Sequence, residues 1–65
     1  MPSSVILKYH YYKEEQILLV TFVSGSVYRY KNVPGNVFEQ FRQARSKGIF
    51  FNDHIKTKFA FEKVS

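Results

Sequence analysis

Apolar residues recur every second position along the first half of this chain and then switch to a helical spacing, so the pattern predicts strands followed by helix. The clearest stretch runs Leu18-Leu19-Val20-Thr21-Phe22-Val23 into Ser24-Gly25-Ser26 and back through Val27-Tyr28-Arg29-Tyr30. β-Branched and aromatic residues around a Ser-Gly-Ser turn predict a hairpin. Residues 4–12 predict a strand before it, with Val5, Leu7, Tyr9 and Tyr11 on the core face and Ile6, Lys8, His10 and Tyr12 on the other. Residues 13–16, Lys-Glu-Glu-Gln, are too charged to bury and form the connecting turn. The second strand, residues 17–23, is apolar on both faces. Such a strand is central in its sheet or presents one face to a partner.

Loop parity at the hairpin decides which residues share a face. A two-residue loop, Ser24 and Gly25, sets Phe22 opposite Val27; a three-residue loop, residues 24–26, or a bulge sets it opposite Tyr28. The second arrangement is preferred. It gathers Leu18, Val20, Phe22, Tyr28 and Tyr30 on one face and sends Val27, Arg29 and Lys31 to the other, where both charges reach water. Gly25 is then a turn glycine needing positive φ.

Beyond the hairpin, Asn32-Val33-Pro34-Gly35-Asn36 opens a helix, either with Pro34 at its first position or with Asn36 as cap and Glu39 closing a capping box. Val37, Phe38, Phe41 and Ala44 make one apolar stripe over residues 37–45, with Gln40, Arg42, Gln43 and Arg45 turned outward. Residues 49–55 predict a shorter helix that buries Phe51 and Ile55, with Ser46 as its cap. A last strand over residues 59–64 places Phe59 and Phe61 on one face. The expected architecture is α+β, a small antiparallel sheet in the order β-β-β-α-α-β, with a main helix and a short one on one face.

Composition narrows this further. Sixty-five residues make a single domain, residues 1–65 with 1–3 expected to be disordered, near the size at which a chain can barely bury enough surface to fold alone. No cysteine is present to staple it or to bind zinc. Stability must come from packing, so few of the five tyrosines and seven phenylalanines can be spared for a ligand. The start shows no secretory pattern and no apolar run is long enough to span a bilayer, so a cytoplasmic location and no membrane partner are expected.

The net charge of +5 favours a polyanionic partner. Arg42, Arg45, Lys47, Lys56 and Lys58 flank the helical region with Asp53 as the nearby acid, and Arg29 and Lys31 line the exposed side of the third strand. Backbone tracking of RNA uses such a surface. The competing account is that cations near a helix end complement its dipole and keep the surface wet. Ile17, Leu19 and Val23, opposite the proposed core face, nominate a second class of function: docking of a protein or of a second copy of the chain. Catalysis is not expected. Asp53 and His54 are sequence neighbours that point apart on a helix, His10 is remote, no nucleophile elbow exists, and no histidine or cysteine set suits a metal. No cofactor and no small-molecule substrate are implied.

The string Leu18-x-Val20-x-Phe22-x-x-Gly25-x-x-Tyr28-x-Tyr30-x-x-Val33-Pro34, followed by Phe38, Ala44, Ser46-Lys47-Gly48, Phe51-Asn52 and Ile55, resembles the KTSC domain, with Phe41 in the same helical stripe. The resemblance runs from Ser4 to about Phe61. His10 is a departure, standing where the family commonly has a small residue before the first-strand tyrosine, here Tyr11. The family is a short bacterial and phage module found alone and at the C-terminus of some lysyl-tRNA synthetases. It implies RNA binding as a suggestion and supplies no catalytic residues.

Overall fold

In the computed structural model, which describes residues 6–65, three strands follow one another before either helix: β1 (Ile6–Tyr12), β2 (Ile17–Phe22) and β3 (Val27–Tyr30). Helices α1 (Gly35–Gln43) and α2 (Lys47–His54) come next, and β4 (Phe61–Lys63) closes the chain. All neighbours are antiparallel and the sheet order is β1-β2-β3-β4, so β4 joins the free edge of β3 after the helices have crossed one face. This is the expected α+β class and element order. The expectations for residues 1–3, Ser4 and Val5 lie outside the described residues.

The hairpin parity is as expected, while its register is displaced by two residues. Val20 sits opposite Tyr28 and Leu18 opposite Tyr30. The ladder continues to Phe22, whose N–H donates to the Ser26 carbonyl at 2.9 Å, so the loop is residues 23–25 and not 24–26. Gly25 takes a φ of 100°, which only glycine adopts without strain, and its N–H donates to the Phe22 carbonyl at 2.8 Å. Phe22 therefore meets Tyr28 diagonally, with ring centroids 5.7 Å apart, and Val23 is a turn residue beyond the strand.

β1 departs from simple alternation. Tyr9 and Tyr11 face the core as expected, but a bulge between Ile6 and Lys8 leaves Leu7 without a direct partner on β2 and inverts the facing before it. Ile6 packs against the core and Leu7 is 62% exposed, the reverse of their expected roles. His10 points to the open face of the sheet beside Tyr12, which is why its size does not disturb the core.

Leu18, Val20, Tyr30, Val33, Phe41, Phe51 and Ile55 are buried, with Phe22, Tyr28, Phe38 and Phe59 packed around them. The rings interlock: Tyr11 stacks on Phe38 at 4.4 Å, Tyr9 meets Phe41 edge-on at 4.9 Å, and Tyr30 meets Phe51 at 5.1 Å and 88°. Helices this short are not stable alone, so the contacts with the sheet hold them.

The helix starts differ from both sequence alternatives. Pro34 is the N-cap of α1, in extended conformation, and its carbonyl accepts from the N–H groups of Val37 and Phe38 at 3.1 Å. Asn36 lies inside the helix. Glu39 closes no capping box because its carboxylate is taken by Arg42 and Gln43. Ser46 does cap α2, its hydroxyl accepting from the Ile49 N–H at 3.3 Å, although the helix begins two residues earlier than periodicity alone predicts. β4 is three residues long, half the expected strand.

Candidate nucleic-acid interface

Carboxylates divide the seven cations nominated from the sequence into two sets. On the open face of the sheet, Leu19, Arg29 and Glu62 lie in one cross-strand row, and the Arg29 guanidinium donates to Glu62. The Lys31 ammonium lies 3.6 Å from the other oxygen of that carboxylate. One turn along α1, Arg42 donates to Glu39, which also accepts from Gln43 at 3.1 Å. The hydrogen bond from Arg29, with the charges of Arg29 and Lys31, holds the Glu62 carboxyl below the usual range, and the bond from Arg42 does the same for Glu39. Their support for the fold is therefore fully present above the usual carboxylate range and is lost as pH falls through the lowered folded-state values. All three ion pairs reach solvent and are screened by salt.

Arg45, Lys47, Lys56 and Lys58 form the second set. Among the described residues, none of these four has a carboxylate within ion-pair distance. They bracket α2: Arg45 and Lys47 at its N-terminal end, Lys56 and Lys58 in the turn beyond its C-terminal end. An eight-residue helix separates the two ends by about 12 Å. That turn is fixed by the Lys56 N–H donating to Phe51 at 2.8 Å and the Lys58 N–H to Ile55 at 3.1 Å. Lys56 and Lys58 benefit from the negative end of the α2 dipole. Lys47 sits at the positive end, in a first turn with no acid, so dipole complementarity does not account for it.

Thus, of the seven cations the sequence nominates, Arg29, Lys31 and Arg42 have carboxylate partners, while Arg45, Lys47, Lys56 and Lys58 surround one helix. Tyr28 is half-buried and Tyr30 is 3% exposed, so neither ring stands free. Burial, with Tyr28 beside it, pushes the Tyr30 phenol above its ordinary value.

The sheet face away from the helices carries a groove of about 400 Å³ lined by Tyr12, Glu15, Ile17, Leu19, Arg29 and Val64. Ile17 and Leu19 are half-buried there, whereas Val23, in the hairpin turn and 59% exposed, is not part of it. Sequence reasoning missed Tyr12 and Val64 as its walls. It also missed Phe61, 52% exposed on the helix-bearing side of β4, and Lys63 two residues along on that side. Alternation shows the shared face of these residues; it does not show that an edge strand is left half covered. His10 and His54 lie in separate layers, against Tyr12 and Phe50. Among the described residues, no three His, Cys, Asp or Glu side chains gather as a metal site, and no helix is long and apolar enough to cross a membrane.

The profile of the KTSC domain matches residues 2–59. A lysine–tRNA ligase of Nostoc punctiforme is 48% identical over 63 residues, covering 97% of this chain but only 11% of the ligase. This chain thus spans about a ninth of that protein's length. An uncharacterized protein of Stutzerimonas stutzeri is 41% identical over 56 residues, 86% of this chain and 79% of that protein. The crystal structure of a KTSC domain protein from Yersinia pestis superposes with a TM-score of 0.86 at 35% identity, over 100% of this chain and 94% of that one.

Proposed function

This chain belongs to the KTSC domain family, and from that premise we propose that it binds RNA through the cations that bracket α2. The observation that carries the reading is the division of charge. Arg45, Lys47, Lys56 and Lys58 have no carboxylate partner, while the remaining nominated cations are matched to Glu39 or Glu62. An unmatched cation releases counterions from a phosphate; one already paired must first give up its carboxylate. The ligase relatives supply the choice of polyanion, since three of the proteins carrying a similar domain are named for a tRNA substrate.

Titration of a fluorescently labelled single-stranded RNA at a series of salt concentrations tests this reading. Four phosphate contacts at about −0.7 each give a log–log slope near −3. No binding at low salt ends the proposal.

The groove favours a second reading, docking of a second copy of the chain. Its floor is apolar and Arg29 and Glu62 place both signs of charge on the same face, so two copies related by a twofold axis meet opposite charges around an apolar centre. Sedimentation then shows a dimer that Leu19→Glu converts to monomer. A monomer at millimolar concentration removes this reading.

A further inference from the structure

An aromatic ring half in water on the core side of a sheet calls for an explanation in a chain this small, where packing alone must supply stability. Phe61 is 52% exposed, although alternation places it on the same side of the sheet as Tyr30, its direct partner across the strands. Its ring leans on Tyr30 at 5.3 Å and on Tyr28 at 5.7 Å, tilted by 32° and 55°. Tyr28 meets Phe22, and Phe22 and Tyr30 both meet Phe51. Phe61 is thus the outermost ring of a run anchored in the core, supported from behind and open in front.

Two cations lie near it along the chain. Lys63 occupies the row of Tyr28 and shares the Phe61 side of β4. Glu62, between them, points to the opposite face and is engaged by Arg29 and Lys31. Lys58 precedes Phe61 by three residues. β4 therefore presents to this side an aromatic surface and an ammonium group without a carboxylate, which matches a nucleotide: a base to stack and a phosphate to neutralise. The position also continues the cations at Lys56 and Lys58 toward the sheet edge.

We propose that Phe61 is the stacking seat for one unpaired base of a single-stranded RNA, with Lys63 and Lys58 holding the adjoining phosphates. The inference rests on the RNA reading above and adds that the contact is made to bases as well as to the backbone.

The test compares a labelled oligouridylate with an abasic strand of the same length and charge. The unmodified protein binds the base-bearing strand more tightly, and Phe61→Ala weakens that strand about tenfold, bringing it to the affinity of the abasic one. Circular dichroism checks that the variant is folded. Because the chain has no tryptophan, Phe61→Trp supplies a single reporter at the site, and its fluorescence is quenched by oligouridylate but not by the abasic strand. Equal binding of both strands, or a Phe61→Ala variant that still distinguishes them, overturns the stacking seat and leaves RNA binding standing. Failure of both strands to bind overturns the two together.

Discussion

Tyr11 ties together two parts of the chain 22 residues apart. Its hydroxyl donates to the carbonyl of buried Val33 at 2.6 Å while its ring lies flat on Phe38, with an interplanar angle of 9°. The stretch before α1 is thereby held to the first strand, and the Val33 N–H completes the clasp by donating to the Gln16 carbonyl at 2.8 Å. Tyr11→Phe keeps the stack and removes one donor, leaving a carbonyl unpaired. The expected loss is about 1–2 kcal/mol, which lowers the melting temperature by about 4–8 °C for each kcal/mol in a domain of this size. A melt within about 1 °C of the parent protein shows that the bond contributes nothing. The facing of Tyr11 was legible in the sequence, because alternation set it opposite Lys8, His10 and Tyr12. Its partner was not, since no local pattern encodes a contact 22 residues away.

Elements followed their patterns wherever one force dominated. α1 turns the stripe that 3.6-residue spacing marks out toward the core, with Phe41 buried and Val37 and Phe38 packed beside it, and Ser46 caps α2 because a hydroxyl before an apolar run satisfies an otherwise unpaired N–H. The divergences arose where two local rules competed. In β1, strict alternation assigned Leu7 to the core, but the bulge resets the pleat and brings Ile6 inward in its place. In the hairpin, parity survived while the loop moved by one residue and the register by two, since either placement keeps the same side chains on the same face. The bulge makes a prediction that simple alternation does not. Leu7→Thr changes stability by less than about 0.5 kcal/mol in denaturant titration, as at an exposed site, whereas Leu18→Ala costs about 2–5 kcal/mol. A cost for Leu7→Thr comparable to that for Leu18→Ala contradicts this register.

At the scale of the whole molecule, two layers leave the chain with two unlike surfaces. The open sheet face mixes apolar residues with Lys8 and with the Arg29, Lys31 and Glu62 charges that match one another; the α2 ends and the β4 edge carry cations without a carboxylate among the described residues. Net charge, legible from composition, says only that a polyanion is favoured. Which cations are available depends on where Glu39 and Glu62 fall: an i, i+3 helix spacing could have revealed the first, and only a strand pairing 33 residues apart reveals the second. The central claim is that this division selects the binding surface. Its most direct test is the salt dependence of RNA affinity for two double variants, Lys56→Gln with Lys58→Gln and Arg29→Gln with Lys31→Gln. The account predicts that the first pair shallows the log–log slope by about 1.4, two contacts at about 0.7 each, while the second leaves it unchanged. An equal loss from both pairs would contradict it.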